Sequence, residues 1–178
     1  MQAIDTFEFE HGGAWFRASI FADEHMGSPW EEHDGHGYVS DWRQRNYMGY
    51  VPTDPGERVL YTDRHGAGLV YDWQSTMNIA KRDGWMSAKD AKAFDSYAAA
   101  CAAIGKGNVA ARAVECDFNR MRRFCEGDWH WIGVEVCPLC PECGEPIEDQ
   151  SASLWGIESD AGDYLEEVAV ELAGECVT

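Results

Sequence analysis

No Lys or Arg occurs beyond Arg123, so the last 55 residues of this 178-residue chain hold fourteen Asp and Glu and not one basic side chain. Over the whole chain, 14 Lys and Arg stand against 32 Asp and Glu, a net charge of -18, and 14 of those net negative charges fall in that C-terminal stretch. A chain so short of cations is not expected to grip nucleic-acid phosphates or an anionic bilayer. Any run of about 18 apolar residues is also missing, which excludes an expected transmembrane helix. The opening MQAIDTFEFEHGG lacks a basic patch followed by an apolar stretch, so no signal peptide is expected and the expected location is cytoplasmic. There is no G-x-S-x-G, P-loop, HExxH or dinucleotide fingerprint, which leaves the common hydrolase, nucleotide and zinc-protease chemistries without a marker. No internal repeat or low-complexity segment is present.

What is present suffices for a core. Hydrophobic residues make up 45% of the chain, with eight Trp, which excludes a wholly disordered polypeptide and at this length fits a single domain over 1–178. Alternation predicts a hairpin from Thr6–Glu10 and Ala14–Phe21 around Gly12 and Gly13, and a second from Arg58–Thr62 and Gly68–Tyr71. Between them, residues 23–57 read as a long loop dense in Gly, Pro, Asp and His, a length uncommon inside a compact domain and often functional. Helices are expected over Asp72–Asp83, stopped by Gly84, from an N-cap at Ser87 to about Gly105, and over Gly107–Glu126, where Ala110, Val114, Phe118, Met121 and Cys125 fall at helical spacing. A third hairpin, Trp129–Leu139 with Ser151–Ile157, leads to an amphipathic helix over Asp163–Glu175 with Tyr164, Leu165, Val168, Ala169 and Leu172 as its apolar stripe. The expected class is α+β, a mostly antiparallel sheet from three hairpins with about four helices on one face.

The acidic end, 124–178, is an expected β-hairpin plus helix. On that helix Asp163, Glu167, Glu171 and Glu175 recur every fourth residue, with Glu166 alongside. Four residues advance about 6 Å, a step comparable to the spacing of phosphates along a DNA strand. Like charges so placed disfavour an isolated helix by a few tenths of a kcal/mol per pair, so packing of the apolar stripe has to hold it. Glu158 and Asp160 before the helix, and Glu142, Glu145, Glu148 and Asp149 in the hairpin loop, extend the same field. One reading is a face that merely keeps the protein in solution. The other is a surface that imitates the DNA backbone, steering itself into a cationic groove. Calcium binding lacks the Asp-x-Asp-x-Asp-Gly spacing.

Seven cysteines is an odd number, and in a reducing compartment they are expected as thiols. Cys137, Cys140 and Cys143 lie in CPLCPECGEP, whose CPxCGxP element is the form of one zinc-ribbon knuckle. Zinc takes four ligands, and the expected fourth is His130, Cys125 or Cys176, with His130 on the entering strand the first choice. A ferredoxin-like cluster is disfavoured because Ile147 sits where the next Cys would fall. The alternative to structural zinc is three unpaired thiols at a hairpin tip. In the long loop, His25, His33 and His36 stand among Glu31, Glu32 and Asp34, with His65 in the second hairpin turn. Such a density of His and carboxylate could bind a divalent metal or do acid–base work, or simply satisfy the loop's own backbone.

Three stretches carry a resemblance: Ser28–Gly37 (SPWEEHDGHG) followed by Val39–Trp42 (VSDW), Ile79–Trp85 (IAKRDGW) and Ser153–Ser159 (SLWGIES). Together they resemble a family of uncharacterised accessory proteins encoded by bacteriophages and prophages, over nearly the whole chain. Small acidic phage proteins commonly block host nucleic-acid enzymes, so the resemblance implies an inhibitor of restriction, CRISPR or recombination machinery. With the one-sided charge, the leading expectation is a non-enzymatic DNA mimic. Its partner-binding residues are Glu158, Asp160, Asp163, Glu166, Glu167, Glu171 and Glu175, and its partner is a host nucleic-acid-binding protein or nuclease complex, with no direct contact to nucleic acid or membrane. The alternatives are a small metal-dependent enzyme built on the His-rich loop, and a protein-binding module without mimicry.

Overall fold

A computed structural model of the chain describes residues 2–32, 35–43, 56–65 and 67–176. The class is α+β, with antiparallel strands throughout. The chain divides into two compact units: unit 1 is built from residues 1–26 and 129–178, unit 2 from residues 27–128. The strands correspondingly form two sheets, one in each unit.

Unit 1 holds β1 (Asp5–His11), β2 (Ala14–Ala22), β6 (Trp131–Pro138), β7 (Ala152–Glu158) and α6 (Tyr164–Cys176), with strand order β1-β2-β6-β7. The turn between β1 and β2 needs Gly12 and Gly13, both at positive φ, as a two-residue hairpin loop demands. Alternation then sorts the side chains. Phe16 and Ala18 of β2, Ile132, Val134 and Val136 of β6 and Ile157 of β7 face Val168, Ala169, Leu172 and Ala173 of α6 in one buried cluster, with Phe7, Phe9 and Ile20 packed against it. The period-2 and period-3.6 patterns therefore agree on a single core.

The register between β6 and β7 shifts between Ile132 and Val134. Trp155 and Gly156 oppose the single residue Gly133, and Gly156 sits at φ 75°, a conformation in which a glycine-based β-bulge is strain-free. Its amide donates to Asp23 Oδ2 at 3.1 Å. The bulge lays the Trp155 ring over Gly133, where a Cβ would overlap it, and against Phe21 at a centroid distance of 6.1 Å. The SLWGIES stretch is thus this bulged strand. Gly133→Ala is expected to expel the Trp155 ring and cost about 1–3 kcal/mol; a urea titration with Trp fluorescence reads both, and an unchanged midpoint would remove this account of the glycine.

Unit 2 begins with the single-turn helix α1 (Pro29–Glu32) and continues with β3 (Val39–Arg43), β4 (Glu57–Thr62) and β5 (Ala67–Asp72), in sheet order β3-β5-β4. Structure therefore occupies part of the expected loop 23–57, and its remaining residues 33–34 and 44–55 lie outside the described ones. Four helices follow: α2 (Trp73–Asp83), α3 (Ala88–Ala93), α4 (Tyr97–Ile104) and α5 (Lys106–Glu126). Asp72 caps α2 by accepting the Ser75 amide at 2.8 Å, and Gly84 ends it at φ 74° with the Gly84 and Trp85 amides both on the Ala80 carbonyl. The IAKRDGW stretch is this C-terminus.

The helix expected from Ser87 to Gly105 is two helices, because Phe94 takes an extended conformation and Ser96 supplies a second N-cap, its hydroxyl accepting the Ala99 amide. At the first cap, buried Asp90 accepts from the Ser87 hydroxyl and from Arg112, each at 2.9 Å. Helix α5 packs against α2, α4 and β4 through Val109, Ala110, Ala113, Val114, Phe118 and Met121.

Candidate functional site

Charge divides between the units more sharply than between sequence halves. Unit 1 carries seventeen Asp and Glu against one basic side chain, Arg17, a net of -16 out of the chain's -18. Arg17 is engaged by Glu8, with Nε and Nη2 at 3.1 and 2.9 Å from Oε1, so no other Lys or Arg of this unit remains for the rest of its carboxylates. Helix α6 lies on the sheet through Val168, Ala169, Leu172 and Ala173, which turns Glu166, Glu167, Glu171 and Glu175 to the outer arc, all four exposed. At 100° per residue Glu167, Glu171 and Glu175 drift by only 40° at each step and form one ridge. Exposed Asp163 opens it, its carbonyl accepting the amides of Glu166 and Glu167. Half-buried Glu158 ends β7, and exposed Asp160 follows in the turn. The helix ends with the Cys176 thiol donating to the Val136 carbonyl at 3.3 Å, so the ridge runs alongside β6 toward the loop carrying Glu142, Glu145, Glu148 and Asp149.

The cysteine loop closes at that same end. Its base is the bridge between Leu139 and Pro146 and the Ile147 amide on the Pro138 carbonyl. Cys140 donates its amide to Glu145 and accepts the Gly144 amide on its carbonyl, each at 2.8 Å, with Gly144 at φ 73°. The amides of Cys143 and Glu142 and the Cys143 thiol hydrogen-bond the Cys140 sulfur and pull that thiol below the ordinary cysteine range. Cys137 is elsewhere, on β6, lining a surface hollow with Thr6, Arg17, Ser19, Phe21, Glu135 and Glu148. There burial first, then the neighbouring Glu135, pushes its thiol up.

His130 precedes β6, its amide on the Ser159 hydroxyl. Seven residues at about 3.3 Å each separate it from Cys137 by about 23 Å, so the structure does not bring it to the cysteine loop. Among the described residues no group of three or more His, Cys, Asp and Glu is placed to hold a metal ion.

Among the described residues of the His-rich loop in unit 2, His36 is the histidine held by side-chain hydrogen bonding. His36 Nδ1 lies 2.7 Å from Asp117 Oδ1, while Asp117 Oδ2 accepts the Gly37 amide at 2.8 Å and the Tyr71 hydroxyl at 2.6 Å. The Asp117 side chain is only 9% exposed. Gly37 has to be glycine, since a Cβ would overlap the Tyr71 ring and hydroxyl. The Tyr38 amide reaches Thr76 Oγ1, which in turn donates to the Asp72 carbonyl at 2.6 Å. In the neutral tautomer that donates from Nδ1 to Asp117, Nε2 of His36 is left as an acceptor. His36 lines a cleft of about 530 Å³ together with Trp30, Tyr38, Asp41, Arg82 and Trp85. A fixed imidazole acceptor beside such a cleft is an arrangement suited to taking a proton from a bound group. His33 and Asp34 lie outside the described residues; His25 and His65 are exposed and use their amides on Asp23 and Asp63. Asp117 was not among the residues singled out in the sequence, although an acid three residues after Val114 and four before Met121, on an apolar stripe, was a readable signal.

Burial first, then the charge and hydrogen bond of Asp117, raise the Tyr71 hydroxyl well above the ordinary tyrosine range. Above about pH 10 the unfolded chain loses this proton while the folded one keeps it. Stability should therefore fall with rising pH by up to about 1.4 kcal/mol per unit. Urea midpoints measured from pH 9 to 11 should show the slope, and Tyr71→Phe should lessen it; equal slopes in both proteins would refute the assignment.

Among the described residues no helix is long and apolar enough to cross a membrane. Comparison of the chain with models of known protein families, with curated proteins and with solved structures finds no match.

Proposed function

We propose that this chain is a phage- or prophage-encoded inhibitor of a host nucleic-acid-binding defence complex, a CRISPR, restriction or recombination nuclease, and that it works in the cytoplasm of the bacterial host. It occupies the partner's cationic groove with the anionic ridge of α6. The observation that carries this reading is the charge of unit 1, -16 with a single basic side chain, together with four of its carboxylates standing along the outward face of α6. A 13-residue helix is about 20 Å long. One DNA strand places a phosphate every 3.4 Å of axis or so, about six over that length. Asp163, Glu166, Glu167, Glu171 and Glu175 offer five carboxylates over the same span, so the density matches one strand.

The test is inhibition of target cleavage by purified host nuclease complexes, with duplex and this chain competing. The chain should suppress cleavage, and suppression should weaken steeply as salt is raised, because screening shortens to about 8 Å at 0.15 M. Cleavage unaffected at low salt across restriction, CRISPR and recombination complexes would end the proposal.

A further inference from the structure

We propose that the loop 139–146 is half of a zinc site, completed by the same loop of a second copy, so that Cys140 and Cys143 from two chains hold one metal ion. The loop is built as a metal knuckle and not as a slack tip: its base is closed by the Leu139–Pro146 bridge, the Cys140 amide is tied to Glu145, and Gly144 takes the left-handed turn. The amides of Glu142 and Cys143 converge on the Cys140 sulfur, and the Cys143 thiol lies against it. Turn amides aimed at sulfur offset the negative charge of a thiolate, and thiolates are what zinc binds. Cys143 is exposed, so the pair opens outward.

Among its described residues the same chain offers no completion. Cys137 turns to the sheet hollow beside Arg17 and Glu135, His130 stands at the far end of β6, and among the described residues no third His, Cys, Asp or Glu joins the pair. Zinc in a closed structural site takes four ligands in a tetrahedron. Two identical two-thiolate knuckles related by a two-fold axis supply them, and an isologous contact of this kind closes at two copies. Binding displaces the thiol protons to solvent and leaves zinc in its divalent state. Glu142 and Glu145 flank the sulfurs and draw a cation in, and they also repel the second copy; salt screens both effects. Dependence on zinc, which binding in a cationic groove does not share, separates the two proposals.

The experiment uses the purified full chain in reducing buffer, with zinc or with chelator, read by native mass spectrometry and light scattering. Monomer is expected with chelator, and a two-chain species with half an equivalent of zinc per chain when the metal is present. Cobalt in place of zinc should give the visible bands of a tetrahedral thiolate site. Cys140→Ser or Cys143→Ser should lose both metal and dimer, whereas Cys137→Ser and His130→Ala should keep both. One zinc per monomeric chain, a mass indifferent to zinc, or loss of the dimer in Cys137→Ser would each overturn the proposal.

Discussion

Changing Glu166, Glu167 and Glu171 together to Lys should weaken the inhibition proposed for this chain about a hundredfold while leaving the fold in place. The three side chains are exposed on the outer arc of α6, and Lys is about as good a helix former as Glu. The apolar side made by Val168, Ala169, Leu172 and Ala173 is untouched. Six units of charge are altered. At about 0.5 kcal/mol per unit in an exposed, screened contact, the loss is about 3 kcal/mol, on the order of a hundredfold in affinity. The helix itself should keep about the same stability: the repulsions of position 167 with Asp163 and of position 171 with Glu175 become attractions, which offsets the repulsion that persists between positions 167 and 171 and the loss of two acids from the first turn. Binding falling while thermal stability does not is the signature of a charged contact surface. A variant that inhibits as well as the parent would show that α6 is not the face that binds.

Asp117→Ala should be among the most damaging polar substitutions in unit 2. The carboxylate receives three donors, from His36, the Gly37 amide and the Tyr71 hydroxyl. Its removal strands two of them in the interior, since Gly37 and Tyr71 are buried, while partly exposed His36 recovers water. At about 1–3 kcal/mol for each stranded donor the expected loss is about 4 kcal/mol, a large share of the 5–15 kcal/mol or so that holds an ordinary domain together. Urea unfolding followed by Trp fluorescence measures it. Asp117→Asn keeps an acceptor and should lose about half as much. A loss below about 1 kcal/mol for the alanine would mean that the cluster contributes nothing to holding the loop of His36.

The elements of unit 1 were readable because its two periods reinforce each other: Phe16 and Ala18 alternate with Trp15 and Arg17, and α6 repeats its apolar residues at helical spacing. The α2 boundaries were readable from Asp72 and Gly84, whose capping roles are local. What sequence could not supply was partnership over distance. Asp117 and His36 are 81 residues apart, and nothing in either neighbourhood announces the other. The break at Phe94 was hidden because Ala-rich sequence on both sides favours one helix, and only the second cap at Ser96 divides it. His130 was a reasonable zinc ligand by residue type, but a strand is a ruler, and Cys137 stands at its opposite end. The division of the sheet in two also escaped, because alternation reveals a strand's faces and not its neighbours.

The pairing of β2 with β6 sets Ala18 opposite Val136, and the Asp23 amide meets the Trp131 carbonyl at 3.0 Å. During synthesis the first hairpin therefore emerges with its central partner more than a hundred residues away. Unit 2, whose contacts lie within one continuous segment, is complete before that partner leaves the ribosome. Closing so long a gap costs chain entropy that grows as the logarithm of its length, and an already compact middle segment shortens the effective gap. The anionic surface is consequently the last part of the molecule to come into being: a nascent chain with only its first 130 residues clear of the ribosome has all of unit 2 outside and neither β6 nor the acidic helix.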